Sequence, residues 1–115
     1  MEASQAVDKL AALAQESRLR IFRLLVEAGP EGMNAGAIAE AVGIPPATLS
    51  FHVAHLARAG LIVSRQESRF IYYSASFAAM DDLIAYLTDN CCQGGQCLPK
   101  TQAVNTAAKR RAKAA

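Results

Sequence analysis

The 115-residue chain contains no run of eighteen apolar residues, so no membrane-spanning helix is expected. Its first residues, Met1-Glu2-Ala3-Ser4-Gln5, lack the basic-then-apolar order of a signal peptide. The expectation is a cytoplasmic protein whose thiols stay reduced. There is no internal repeat, no phosphate loop, no acid–base pair and no nucleophile beside a base, so an enzyme is not expected. Cysteine is sparse: there are three, an odd number for a disulfide framework. Net charge is small too, at +2. Of twelve basic residues, Lys109, Arg110, Arg111 and Lys113 sit in an acid-free tail; the other eight face ten acidic ones, a net of −2. Bulk charge therefore gives no argument for nucleic acid, and any such surface must be local.

What is present suits one small domain: 52% of the residues are hydrophobic, and a domain of this size gains stability by burying more surface in a dimer. Val7, Leu10, Ala11, Leu13 and Ala14 have helical spacing and predict a first helix over about residues 4–15. Ser17 is the expected N-cap of a second helix, apolar over much of its circumference through Leu19, Ile21, Phe22, Leu24, Leu25 and Val26. Gly29-Pro30 stops it. Asn34 caps a short third helix with Ile38, Ala41 and Val42 inward and Gly43 at its end; Pro45-Pro46 opens a fourth that runs to Ala59, with Gly60 as its stop. The runs Leu61–Arg65 and Phe70–Ser74, joined by Gln66-Glu67-Ser68-Arg69, read as an antiparallel hairpin. Ser76 caps a last helix bearing Phe77, Met80, Leu83, Ile84 and Leu87, a stripe that suits helix-to-helix packing or an ordinary core face. The expected fold is α+β, mainly α with a β-hairpin, in the order α-α-α-α-β-β-α: a winged helix-turn-helix. Residues 1–92 form the domain, and residues 93–115 are a C-terminal segment with little fixed structure in the absence of a ligand.

The fourth helix carries the strongest signal. Leu49, Val53 and Leu56 share one face; Ala47, Phe51, Ala54 and Arg58 fall opposite, flanked by Thr48, Ser50 and His55. A short helix, a turn and a longer helix with small or polar outward residues is the helix-turn-helix pattern. Small residues let the backbone approach a major groove, hydroxyls and histidine hydrogen-bond bases or phosphates, and Phe51 can press on a thymine methyl. Arg58, Arg65 and Arg69 are candidate phosphate contacts, the last two near the hairpin tip. His52 has two readings, a structural residue at the core edge or a participant in DNA binding; His55 is the better exposed contact. Three short helices and a hairpin also occur in protein-interaction domains.

The segment Ser50-Phe51-His52-Val53-Ala54-His55-Leu56-Ala57-Arg58-Ala59-Gly60-Leu61-Ile62 resembles the signature of the ArsR/SmtB winged-helix repressors. The resemblance extends over about residues 5–97 and includes Ser17-Arg18-Leu19-Arg20-Ile21. It implies a homodimer joined through its first and last helices that represses an operator in double-stranded DNA until an ion binds. Two departures matter. Glu67-Ser68-Arg69 stands where many relatives have a glycine in the hairpin, and Ala37–Val42 lacks the paired cysteines that form a metal site in some members. The last helix also lacks the His and carboxylate pairs of the zinc sensors, having only Asp81, Asp82 and Asp89 nearby.

The candidate ligands are then Cys91, Cys92 and Cys97, three thiols within seven residues. Thiolates select soft ions. Trivalent arsenic or antimony favours three-coordinate pyramidal geometry, whereas a structural zinc site needs a fourth ligand, and none is near. Gly94-Gly95 gives the backbone freedom to fold Cys97 back. A Cys91–Cys92 disulfide is poorly shaped, since adjacent Cα atoms are about 3.8 Å apart. A bridge from Cys97 to either is feasible. The expected function is an arsenite- or antimonite-released repressor. The alternatives are a thiol sensor of cadmium, lead, mercury, organoarsenicals or redox state, and a cytosolic soft-metal carrier that does not touch DNA.

Overall fold

A computed structural model describes residues 1–89 of the chain. Cys91, Cys92, Cys97, the basic tail and the expected division at residue 92 lie outside the described residues. The order is α1 (Ala3–Leu13), α2 (Glu16–Ala28), β1 (Met33–Asn34), α3 (Ala35–Val42), α4 (Pro46–Arg58), β2 (Ile62–Glu67), β3 (Phe70–Ala75) and α5 (Phe77–Leu87). This is the winged helix-turn-helix α+β fold, with one more strand than the sequence indicates. Among the described residues no helix is long and apolar enough to cross a membrane.

Local chemistry sets most boundaries. The Asn34 side chain accepts from the Ala37 amide at 2.9 Å, and that of Ser76 from the Ala79 amide at 3.2 Å. Pro45 and Pro46 open α4, where a missing amide hydrogen costs no helical bond. At its far end Leu61 N–H donates to the Leu56 carbonyl at 3.1 Å and Gly60 N–H to that of Ala57 at 2.9 Å, a Schellman closure that turns the chain into β2. One cap differs from expectation. Gln15, not Ser17, caps α2: its extended backbone lets the longer amide accept from Arg18 N–H at 2.9 Å, and Ser17 lies inside the helix.

The core gathers Ile21, Phe22 and Leu25 of α2, Ile38 and Val42 of α3, and Leu49, Val53 and Leu56 of α4, together with Leu61 and Ile62 at the root of the hairpin. Ala39 takes the inward place expected of Ala41, which is exposed. Phe77 and Met80 of α5 pack on this cluster and Leu83 is buried, but Ile84 and Leu87 are half exposed. The expected α5 stripe is thus split between core and surface.

The sheet order is β1-β3-β2, antiparallel throughout, with Met33 opposite Tyr73 and Ile62 opposite Ala75. Beyond buried Ile62 every residue of β2 is exposed, so the hairpin projects as a wing. Its turn is two residues long rather than four. Ser68 takes φ 60°, which does what glycine commonly does at this corner. The two-residue β1 is too short to show an alternation. It depends on Gly32, at φ 74°, whose missing side chain lets the backbone pass against the Tyr73 carbonyl.

A Cβ at Gly32 would overlap the Tyr73 carbonyl oxygen and stand 2.8 Å from its carbon, whereas one at Gly29, also at positive φ, would meet nothing within 4 Å. Gly32→Ala is therefore expected to destabilise by about 2–4 kcal/mol, and Gly29→Ala by about 1 kcal/mol. Urea unfolding of both variants checks the order; equal losses would mean that the close approach of β1 to β3 adds nothing.

Candidate nucleic-acid interface

Burying Leu49, Val53 and Leu56 leaves the opposite side of α4 to solvent, because a helix turns by 3.6 residues. Ala47, Thr48, Ser50, Phe51, Ala54 and Arg58 are all exposed, Phe51 to 61%. The helix contains no acid, and its N-terminus has no side-chain cap. The amides of Ala47 and Thr48 therefore remain open to an anion, at the positive end of the helix dipole. Small, hydroxylic and cationic side chains around one exposed aromatic form a surface that can enter a groove.

The remaining expected residues do not all share this surface. His55 is half-buried on the flank facing α1, where it lines a cleft of about 240 Å³ with Asp8, Ala11, Arg58 and Ala59. Arg65 is occupied: it donates to Glu67 at 2.8 Å and to the Glu31 carbonyl at 3.1 Å, and lies 5.1 Å from the Tyr72 ring centre. These contacts tie the wing to the α2–β1 loop, so Arg65 braces the middle of the wing, with its side chain still 43% exposed. Arg69 stands at the exposed turn and makes none of the ion pairs found among the described residues.

His52 faces inward. At 8% exposure it is the one buried polar side chain among the described residues. Its Nδ1 lies 3.4 Å from Nη1 of Arg18, and Arg18 Nε donates to the Ala12 carbonyl at 2.7 Å. A guanidinium can only donate, so a hydrogen bond across this contact makes Nδ1 the acceptor and assigns the ring proton of the neutral imidazole to Nε2. The ring also meets Phe51 edge-on, with centroids 5.5 Å apart. His52 can act on DNA only by positioning α4. In the sequence Arg18 stands out only as part of the family-like segment Ser17–Ile21, with no role assigned, although a cation in the first turn opposes the helix dipole and hints at a partner elsewhere.

Burial, then the charge of Arg18, then His55, hold the His52 pKa below its usual 6.5. The unfolded chain therefore takes up the proton first as pH falls. The stability contributed by neutral His52 is complete above 6.5 and is lost as pH drops through the lowered folded value. His52→Asn keeps an acceptor near Nδ1 but cannot titrate. The stability gap between wild type and this variant should narrow between about pH 7.5 and about pH 5. A gap independent of pH in thermal melts would show that the imidazole does not have to be neutral.

A family described as a helix-turn-helix domain matches residues 13–65. The nodulation protein NolR of Rhizobium meliloti is 35% identical over 88 residues, covering 76% of this chain and 70% of NolR. The transcriptional activator HlyU of Vibrio cholerae is 30% identical over 93 residues, covering 81% and 83%; its reduced form is also among the similar solved structures, with a TM-score of 0.60, 31% identity and coverage of 74% and 90%. The homodimeric winged helix-turn-helix DNA-binding domain of an ArsR-family candidate from Mycobacterium bovis aligns with a TM-score of 0.61 at 26% identity, covering 83% of this chain and 88% of that one. The match spans α2 to the wing, the elements that carry and aim α4, and the chain belongs to the winged helix-turn-helix transcriptional regulators.

Proposed function

We propose that the chain is a homodimeric transcriptional repressor that binds operator DNA through α4 and the wing and leaves it when trivalent arsenic or antimony binds Cys91, Cys92 and Cys97. The observation that carries the DNA reading is the acid-free outer face of α4, presented by a helix-turn-helix. Thr48, Ser50 and Phe51 meet the groove, Arg58 and Arg69 the phosphates, and His55 the flank; His52 and Arg65 set the pose of helix and wing. For the inducer the support is donor chemistry: three thiols within seven residues match a three-coordinate soft ion that stays bound where the cytoplasm keeps them reduced.

Dimerisation has a surface. Val7 is 61% and Leu10 41% exposed on α1, while Ile84 is 51% and Leu87 57% exposed on α5, and the two helices are in contact. Exposed apolar side chains on two touching helices support this as the association face. Two reading helices held about one DNA turn apart, roughly 34 Å, bind far better than one. The M. bovis domain is described as homodimeric, which supports the same assembly. Ile84→Glu with Leu87→Glu should yield a folded monomer in sedimentation, since neither residue is in the core, with melting lowered by the loss of the stability that association contributes; a persistent dimer would place the interface elsewhere. Leu83, only 6% exposed, is buried within the protomer and is unsuitable for this test.

The inducer is tested on a duplex selected by the wild-type chain from a randomised library. Each of Cys91→Ser, Cys92→Ser and Cys97→Ser should keep duplex affinity and lose arsenite-driven release, because a hydroxyl cannot replace a soft thiolate. A Cys97→Ser variant that still responds while Cys91→Ser does not would reduce the site to the vicinal pair and favour an organoarsenical. The similarity to HlyU, known in a reduced form, favours redox sensing as the second reading; release by a thiol oxidant and not by arsenite would establish it. HlyU is described as an activator, so transcription from a promoter carrying the selected duplex fixes the sign of regulation.

A further inference from the structure

We propose that Arg18 is a positioning residue for DNA reading: braced on the Ala12 carbonyl at the end of α1, its guanidinium holds the inward imidazole of His52 and fixes the rotation of α4. The proposal rests on the reading that α4 faces DNA. The geometry consists of two contacts from one side chain, Nε to the Ala12 oxygen at 2.7 Å and Nη1 to His52 Nδ1 at 3.4 Å, reaching across 34 residues of sequence. It joins the helix whose outer face carries Val7 and Leu10 to the helix whose outer face carries Phe51.

A polar strut is needed because the apolar contacts do not supply direction. Burial of Leu49, Val53 and Leu56 decides which face of α4 is inside, but hydrophobic attraction is non-directional and leaves small rotations soft. A 10° rotation moves side-chain atoms on the outer surface by about 1 Å, given a helix radius near 5–6 Å. That displacement takes a base-edge hydrogen bond from about 2.9 Å to beyond its useful range. A guanidinium fork held at one end by a carbonyl fixes the other end in distance and angle. The strut needs a neutral imidazole, since a second proton would place two cations face to face. The charged groups near His52 are Arg18 from α2 and His55 from α4, both of which disfavour that proton. Asp8 of α1 and Arg58 share the cleft beside His55, and the one titratable residue of α3, Glu40, is exposed.

The test compares Arg18→Gln, Arg18→Lys, His52→Asn and the Arg18→Gln/His52→Asn double variant on a duplex selected by the wild-type chain from a randomised library, with melting and imidazole NMR titration alongside. Arg18→Gln should bind about tenfold more weakly while remaining folded, and its His52 titration should move up toward 6.5 as the opposing charge disappears. Arg18→Lys keeps the charge but not the fork, so it should lose affinity with the titration still low. The double variant should be no weaker than Arg18→Gln, because the two changes break one link. Losses that multiply, or wild-type affinity in both Arg18 variants, would overturn the proposal while leaving DNA reading by α4 intact. A wild-type chain that retains no duplex would overturn that reading and the proposal with it.

Discussion

Leu49, Val53 and Leu56 enter one cluster with Ile21, Leu25 and Ile38, and the placement of every outward residue follows from that burial. Each leucine removed from water contributes about 1.5–3 kcal/mol, far more than any surface contact of the same helix. With the inner stripe fixed, the period of the helix puts Ala47, Phe51, Ala54 and Arg58 outside without further instruction. The same cluster holds Leu61 and Ile62, so the root of the wing is anchored in the core that orients the reading helix. Helix and wing therefore present one rigid surface, although they lie on different elements.

The arginines around that surface divide between two tasks. Arg18 and Arg65 are committed to carbonyls and side chains of the protein, one beneath α4 and the other at the wing. Arg58 and Arg69 are exposed. A cation that holds a helix or strand in place has fewer donors left for phosphate, so counting basic residues overstates the attraction this domain can exert. The body carries a net negative charge in any case, which makes recognition depend on shape and contact at close range more than on long-range steering.

What could be read in the sequence was what is decided locally. Asn34, Gly43, Pro46, Gly60 and Ser76 mark helix ends through their own backbone or side-chain chemistry, and all five stand where the spacing predicted. The inner stripe of α4 was equally plain, since periodicity alone defines it. Ser17 failed as a cap because the helix begins earlier, at Glu16, with the Gln15 side chain accepting from the Arg18 amide, a choice of start that residue preference does not resolve. β1 was invisible because its pairing depends on Tyr72 and Tyr73, some forty residues downstream. The Arg18–His52 contact and the bond from Arg65 to the Glu31 carbonyl are long-range as well, and they give two of the expected DNA residues partners within the protein. Ile84 and Leu87 shared a stripe with core residues, yet only packing shows which members face outward.

Release by a ligand at thiols beyond α5 requires those thiols to act on a helix in the other half of the domain. The described residues contain a continuous physical route: α5 touches α1, the last turn of α1 carries the Ala12 carbonyl, Arg18 spans from that oxygen to His52, and His52 lies on α4. Contiguity alone does not make a route functional; measured coupling between its members does. The magnitude is also constrained. Moving a population from 99:1 bound to 1:99 takes about 5.5 kcal/mol of differential binding, whereas a single coupling between sites is typically about 1–3 kcal/mol. One ligand on one chain falls short. In the proposed homodimer two ligands act on one DNA complex, each supplying about half, and the demand on each site then falls within the range that packed elements and a single directional strut can transmit. The proposed dimer would thus serve the energetics of the proposed release as well as the spacing of two grooves.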